Sequence, residues 1–310
     1  MKTKDIIKLL LASSIACACS SGGDDNVPDG QEPTPPTTHT KLPINISTEL
    51  MEPNGTRVTD YSFESGDKIG LFVVNRTSDG SAAQLKPTGN HVDNMPFTYN
   101  GTWTPATPIY WLDDKTHADF YLYYPYTPSL PNVENMPFKV NSDQSTEGAY
   151  KASDLLAGSS KDIAPTDKAI TILAKHLLSQ MIVKIVPGNG FTAESLAAAN
   201  VSVRINNVKT NATVNIAKAT VSASGATSNI TPLKTAQFTY KALIVPQSVP
   251  DGNLISVTVD GREFNLPKAF TFISGKLHRF TVTLSKTSNG INVSIGQWED
   301  DGTDNGGTAE

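Results

Sequence analysis

Cysteine is nearly missing from this 310-residue chain. There are two, Cys17 and Cys19, and both precede residue 20. Loop strain opposes a bridge between positions one residue apart. No other thiol exists to pair with either, so the body of the chain has no disulfide framework. A run long enough to span a membrane is also lacking near the start. Ile6 to Ala18 falls short of the ~20 apolar residues a membrane helix needs, and Ser, Gly and Asp follow it. Basic charge is in deficit, with 25 Lys and Arg against 30 Asp and Glu and a net charge of −5. That leaves no cationic stripe for a phosphate backbone and argues against nucleic acid as a partner. Catalytic and metal signatures are missing too. His39, His91, His117, His176 and His278 are isolated, in no His-Glu-x-x-His or His-x-His spacing. No Gly-x-Ser-x-Gly elbow occurs. Asp113-Asp114 and Asp300-Asp301 are adjacent pairs that point apart on an extended chain. The tail WEDDGTDNGG lacks the alternating oxygen ligands and final glutamate of a calcium loop. The expectation is a chain that is not an enzyme and uses no metal or cofactor.

What is present begins with Lys2, Lys4 and Lys8 ahead of the apolar run and small residues at its end, the layout of a secretory signal peptide. A cysteine at the cleavage point marks it as a lipoprotein signal over residues 1–18. Cys19, with alanines one and three positions before it, is the expected acylated residue; Cys17, preceded by Ser14-Ile15-Ala16, is the alternative. Residues 19–41 hold Pro, Thr, Gly and acids but almost nothing apolar, so they cannot offset the entropy of ordering and read as a disordered tether. Pro33, Pro35 and Pro36 keep part of it extended.

Beyond Lys41 the pattern turns to period two. In LPINISTEL, Leu42, Ile44, Ile46 and Leu50 share one face while Asn45, Ser47 and Glu49 point away, as in a half-buried strand. GDKIGLFVV, FYLYYPY, ITILAKHLLSQMIVKIV, NVSVRI, ATVNI, YKALIVPQ, ISVTV, HRFTVTL and INVSI continue the series. Turn signals such as Asp79-Gly80, Asn100-Gly101, Asp251-Gly252 and Asp260-Gly261 separate most of them. One helix is expected, in TAESLAAAN, with Thr192 as N-cap. Many short strands bury their apolar faces most simply as sandwiches. The expected architecture is therefore all-β: two tandem antiparallel, transthyretin-like β-sandwiches over 42–167 and 168–298, then a polar tail over 299–310. The long apolar stretch from Ile170 to Val186 is expected to open the second sandwich.

Several short motifs occur in order along these strands. They are Thr56-Arg57, Gly66-Asp67-Lys68-Ile69-Gly70, Trp111, Tyr123-Tyr124-Pro125-Tyr126, Asp143-Gln144, Asp154-Leu155-Leu156, His176-Leu177-Leu178-Ser179, Val245-Pro246-Gln247 and Trp298. This ordered set resembles the fimbrillin family, which supplies subunits of type V pili in a phylum of Gram-negative anaerobes. The resemblance implies a structural or adhesive pilus subunit, anchored in the outer membrane by lipid and exposed at the cell surface. Asp24 and Asp25 lie where surface lipoproteins carry an acidic export signal. The resemblance further implies proteolytic maturation after Arg57, with Val58 as the new N-terminus. The first strand, carrying Leu42, Ile44 and Ile46, is then a removable plug. A groove left by a missing strand is completed by a strand from the next subunit. The last strand, with Ile291, Val293 and Ile295 on one face, is the candidate donor. Partners would be other pilus subunits, the outer membrane through the lipid anchor, and a host or glycan receptor. The alternative is a non-polymerising, glycan-binding surface lipoprotein using Tyr121, Tyr123 or Trp103 as its platform.

Overall fold

The computed structural model describes residues 41–50 and 62–286, together with the backbone of Gly307–Ala309. Three sheets and a short ribbon account for nearly all of it. The first sheet has seven strands: β1 (Ile46–Leu50), β2 (Lys68–Asn75), β3 (Val92–Tyr99), β4 (Trp103–Pro105), β5 (Ala118–Tyr124), β7 (Leu156–Ile163) and β8 (Ile170–His176). Their order is β1-β8-β7-β5-β2-β3-β4. The second sheet orders β11 (Thr220–Ile230), β10 (Val201–Asn215), β15 (Asn253–Val259) and β16 (Arg262–Pro267), with β6 (Met136–Lys139) also paired to β10. The third runs β12 (Leu233–Ala236), β13 (Thr239–Ile244), β9 (Ser179–Pro187), β18 (Leu277–Leu284) and β19 (Gly307–Ala309). β14 (Gln247–Val249) and β17 (Phe270–Phe272) form the ribbon.

Local sequence explains the character of each strand. β18 alternates half-buried and buried residues along its whole length, as its period-two pattern requires. β2 and β5 are instead buried on both faces, which their continuous runs KIGLFVVN and ADFYLYY allow. Ile69, Leu71, Val73, Phe120 and Leu122 face one core with Ile170 and Ile172, whereas Phe72, Val74, Tyr121 and Tyr123 face another. Gly70 is required because the Tyr123 ring lies against it, where a Cβ would collide. Thr192 caps the expected helix, α2 (Ala193–Ala198), through a capping box with Ser195. A second helix, α1 (Glu147–Lys151), is capped by Thr146.

Two expectations are corrected. The stretch from Ile170 to Val186 is two strands rather than one: β8 pairs with β1 and β7, and β9 begins the third sheet. The change of sheet falls at Leu177–Leu178 rather than between 167 and 168, because His176 still pairs with Leu156 while Ser179 pairs with Ile244. Pairing is also not wholly antiparallel: β1 with β8, β9 with β18, and β18 with β19 run parallel. The two halves further share a core. Phe72, Tyr121 and Tyr123 from the first sheet join Met136, Val203, Ile205, Met181 and Phe280 in one continuous buried cluster.

Candidate assembly groove

β1 lies at one end of the seven-stranded sheet, where only one side of a strand is ordinarily satisfied. Here the second side is engaged as well, not along β1 itself but over Leu42 to Ile44, which lead into it. On one side Ile46 to Leu50 run parallel to Ile170 to Ala174, and Ile170 N–H donates to Asn45 O at 2.9 Å. On the other, Ile44 N–H donates to Ile109 O and Trp111 N–H to Leu42 O, both at 2.9 Å. Trp103 Nε1, on the strand at the far end of the sheet, donates to Thr48 Oγ1 at 3.0 Å. The first strand thus brings the two ends of the sheet together over a single core.

The alternation read from LPINISTEL is what seats it. Ile44 and Ile46 are 2 % and 6 % exposed, Leu42 and Leu50 pack partly against the same core, and Ser47 reaches Thr171 across the outer face at 3.0 Å. Burying an isoleucine side chain contributes roughly 1.5–3 kcal/mol, so two of them hold β1 firmly without making it indispensable to the other strands. Were β1 withdrawn, the backbone of Ile170 to Ala174 and of Ile109 to Trp111 would be left as facing edges.

At the C-terminal end of β1, Leu50 lines a cleft with Phe63, Tyr124, Leu156, Glu64, Asp67, Lys151, Asp154 and His176. Four of the motifs singled out in the sequence converge here. Tyr124 Oη donates to Asp67 Oδ1 at 3.3 Å, and Asp67 Oδ2 accepts from Glu64 N–H at 2.7 Å. His176 Nδ1 and Asp154 Oδ1 pair at 3.0 Å, and Lys151 pairs with Glu64. Burial, reinforced by the carboxylates of Asp67 and Asp154, holds the Tyr124 hydroxyl well above the usual tyrosine range. These pairs tie the start of β2, the end of β5, α1 and the end of β8 to one another around Leu50. Among the described residues no group of three or more His, Cys, Asp or Glu side chains is placed to hold a metal.

The residues singled out in the sequence divide sharply. Leu42, Ile44 and Ile46 come together on the groove. Cys17, Cys19, Arg57, Val58, Ile291, Val293, Ile295 and Trp298 lie outside the described residues. The aromatic platform of the glycan-binding alternative is overturned: Tyr121, Tyr123 and Trp103 are 4 %, 0 % and 8 % exposed, each packed into a core. Period two hid this, because a strand covered on both faces has no outer side.

Two glutamines have roles that sequence reasoning did not assign. Gln144 is wholly buried; its Oε1 accepts from Leu243 N–H and its Nε2 donates to Leu243 O, both at 2.8 Å, so one amide side chain stands in for a strand beside β13. Gln247 does the same for Lys209, at 2.8 and 2.9 Å. The motif Val245-Pro246-Gln247 contained the signal for one of them. Gln247 follows the apolar run Leu243 to Val245, and a glutamine drawn into a core needs a partner for its amide, whereas Gln144 sits among polar residues that give no such hint. Asp119, also buried, accepts from Arg76 Nε and from Asp162 N–H, each at 2.8 Å, at an irregularity between β5 and β7.

Known proteins agree with this architecture. A protein of Bacteroides uniformis named as fimbrium subunit Fim1C is 27 % identical over 316 residues, covering 96 % of each chain. One of Bacteroides ovatus named as fimbrium tip subunit Fim1C is 26 % identical over 137 residues, which span 40 % of this chain and 24 % of that one. A solved cell-adhesion protein structure from Bacteroides uniformis superposes with a TM-score of 0.61 at 21 % identity, covering 88 % of this chain and 98 % of its own. A second, from Bacteroides ovatus, gives 0.64 at 18 % identity, covering 78 % and 92 %. The profile of the fimbrillin-like family matches residues 56–298, from just after the first strand to the last tryptophan, and the chain belongs to that family.

Proposed function

We propose that this protein is a structural or adhesive subunit of a type V fimbrium, carried to the cell surface as an outer-membrane lipoprotein acylated on Cys19. It assembles by strand exchange. A protease cuts after Arg57, Val58 becomes the new N-terminus, and the strand bearing Leu42, Ile44 and Ile46 leaves together with its lipid anchor. The next subunit then fills the vacant groove, with the strand of Ile291, Val293 and Ile295 as donor. Partners are other fimbrial subunits, the outer membrane before the cut, and a host or glycan receptor.

The observation that carries this reading is the position of β1. Together with the Leu42–Ile44 segment that leads into it, it joins the rest of the sheet through backbone hydrogen bonds on two sides and through Ile44 and Ile46 below. A replacement strand meets the same demands with an apolar residue at every second position. Membership of the family and the relatives named for fimbriae support the coarser statement, a fimbrial subunit at the cell surface. The uncut, glycan-binding alternative loses the aromatic surface on which it stood.

The test compares wild type with Arg57→Ala after exposure to an arginine-specific protease. Wild type should be cut between 57 and 58 and pass into oligomers that survive detergent at room temperature, while the variant stays uncut and forms no detergent-resistant oligomer. Identical ladders from both proteins would refute the assembly step.

A further inference from the structure

Among the described residues, the sheet edges are mostly short or guarded; β19, at the end of the third sheet, is three residues long. β4 is only three residues long and ends at Pro105; β16 carries Arg262 and Glu263 and closes on Pro267; β12 carries Lys234. β1 carries Glu49 and has its open side engaged near its start by Ile109 and Trp111. Short edges, charges and prolines are the devices that stop one sheet from pairing with another. β11 has none of them. From Thr220 to Ile230 it reads TVSASGATSNI, eleven residues with no charged side chain and no proline, in a chain whose charged share of 18 % predicts about two. It is the outermost strand of its sheet, paired on one side to β10 and, among the described residues, to no strand on the other.

The edge is regular over part of its length. Thr220 to Ser224 keep an unbroken register with Asn215 to Asn211, and Gly225, at φ +73°, then breaks the ladder. Val221 and Ala223 pack partly against the core, while Thr220 and Ser222 face solvent. Successive residues in a strand point their N–H and C=O groups to alternate sides, so this stretch leaves a row of backbone donors and acceptors facing outward.

We propose that this edge is a self-pairing surface: Thr220 to Ser224 of one copy lies antiparallel to the same five residues of a second copy, about a two-fold axis near Ser222. The occupant is argued from charge. Antiparallel pairing about Ser222 sets Ser222 against Ser222 and Thr220 against Ser224, and Val221 against Ala223, so no like charges meet although the whole chain carries −5. A two-fold contact of identical patches also closes on itself and stops at two. It joins two five-stranded sheets edge to edge and needs neither cleavage nor the exchange of β1, so it stands apart from the assembly proposed above. A five-residue edge gives weak association, important where many copies are held close together.

The test uses the uncut full-length chain in sedimentation equilibrium, with Ser222→Lys and Ser222→Glu alone and mixed. Wild type should show a concentration-dependent dimer. Each single variant should associate about five- to tenfold more weakly at low salt, because like charges now face each other across the axis. Mixing the two should restore a heterodimer, and high salt should erase the difference. Hydrogen exchange on wild type is the second reading: outward amides within 220–224 should slow as concentration rises. A wild type that stays monomeric at millimolar concentration, or an unchanged dimer in both single variants, overturns the proposal. A mixture no tighter than either variant alone also overturns it.

Discussion

Replacing Ile44 and Ile46 together by alanine tests whether β1 is a separable plug or an integral strand. Each side chain is almost fully buried at the margin of the first core, so the cost should fall at the low end of the range for isoleucine truncation. That is about 2 kcal/mol each, or roughly 4 kcal/mol for the pair. If β1 detaches on its own while the sheet behind it survives, the whole penalty falls on docking of that strand. A loss of roughly 4 kcal/mol raises the detached population about a thousandfold. Hydrogen exchange reads this directly: amides of Ser47 and Glu49, which face β8, should exchange about a thousandfold faster, while those of β5 and β2 hardly change. Ile172→Ala is the control. Its side chain is fully buried on the neighbouring strand and faces the same core, so its cost should appear in global unfolding by urea. Should the double variant lower protection in β5 and in β1 alike, β1 is part of the cooperative fold and the reasoning from its edge position is wrong.

Two other outcomes follow from buried polar groups. Gln144→Leu strips Leu243 of both backbone partners and should lower unfolding stability by roughly 2–6 kcal/mol in urea titration, at 1–3 kcal/mol per stranded group; a change too small to measure would mean that water replaces the amide. Burial pushes the Tyr123 hydroxyl up to about 12, with hydrogen bonds to Thr127 and Asn94 opposing the shift. Because the folded value lies above the ordinary one, the stabilising contribution is complete below about pH 10 and is lost as pH rises toward 12. The tyrosinate signal of wild type minus Tyr123→Phe should emerge only in that upper window, and titration of Tyr123 alongside exposed tyrosines would contradict its burial.

The groove was legible in the sequence to the extent that alternation was. LPINISTEL showed which residues of β1 face inward, and the structure adds what no pattern of single residues contains: the strand runs parallel to β8 and is held from its other side by Ile109 and Trp111. Direction and partner choice depend on residues far apart in the chain. The stretch from Ile170 to Val186 misled for a related reason. Two polar pairs, Lys175-His176 and Ser179-Gln180, flank the crossover at Leu177 and Leu178, but such pairs also occur within a strand and do not by themselves mark a change of sheet. Tyr121 and Tyr123 were misread because an aromatic strand with both faces covered resembles one with an open face. The cleft at Leu50 was half visible: its Asp67, Tyr124, Asp154 and His176 were each noticed, but not that they meet. Of the two helices, α2 followed from turn chemistry, down to Thr192 as the cap, whereas α1, capped by Thr146, was not among the expected elements.

The pairing of β1 with β8 also sets a clock. Ser47 and Thr171 touch across 124 positions, and Gln144 and Leu243 across 99. Contacts that distant in sequence form slowly, since loop closure must precede any reward. The first strand cannot find β8 until the chain is made past its midpoint, and Gln144 cannot find Leu243 until the chain reaches its last quarter. At a synthesis rate of about 5–20 residues per second, the N-terminal segment spends seconds as an unpaired strand. The fold that finally clasps β1 between β8 and Ile109 is therefore one that cannot close early, and the chain stays threadable for as long as its topology keeps those partners apart.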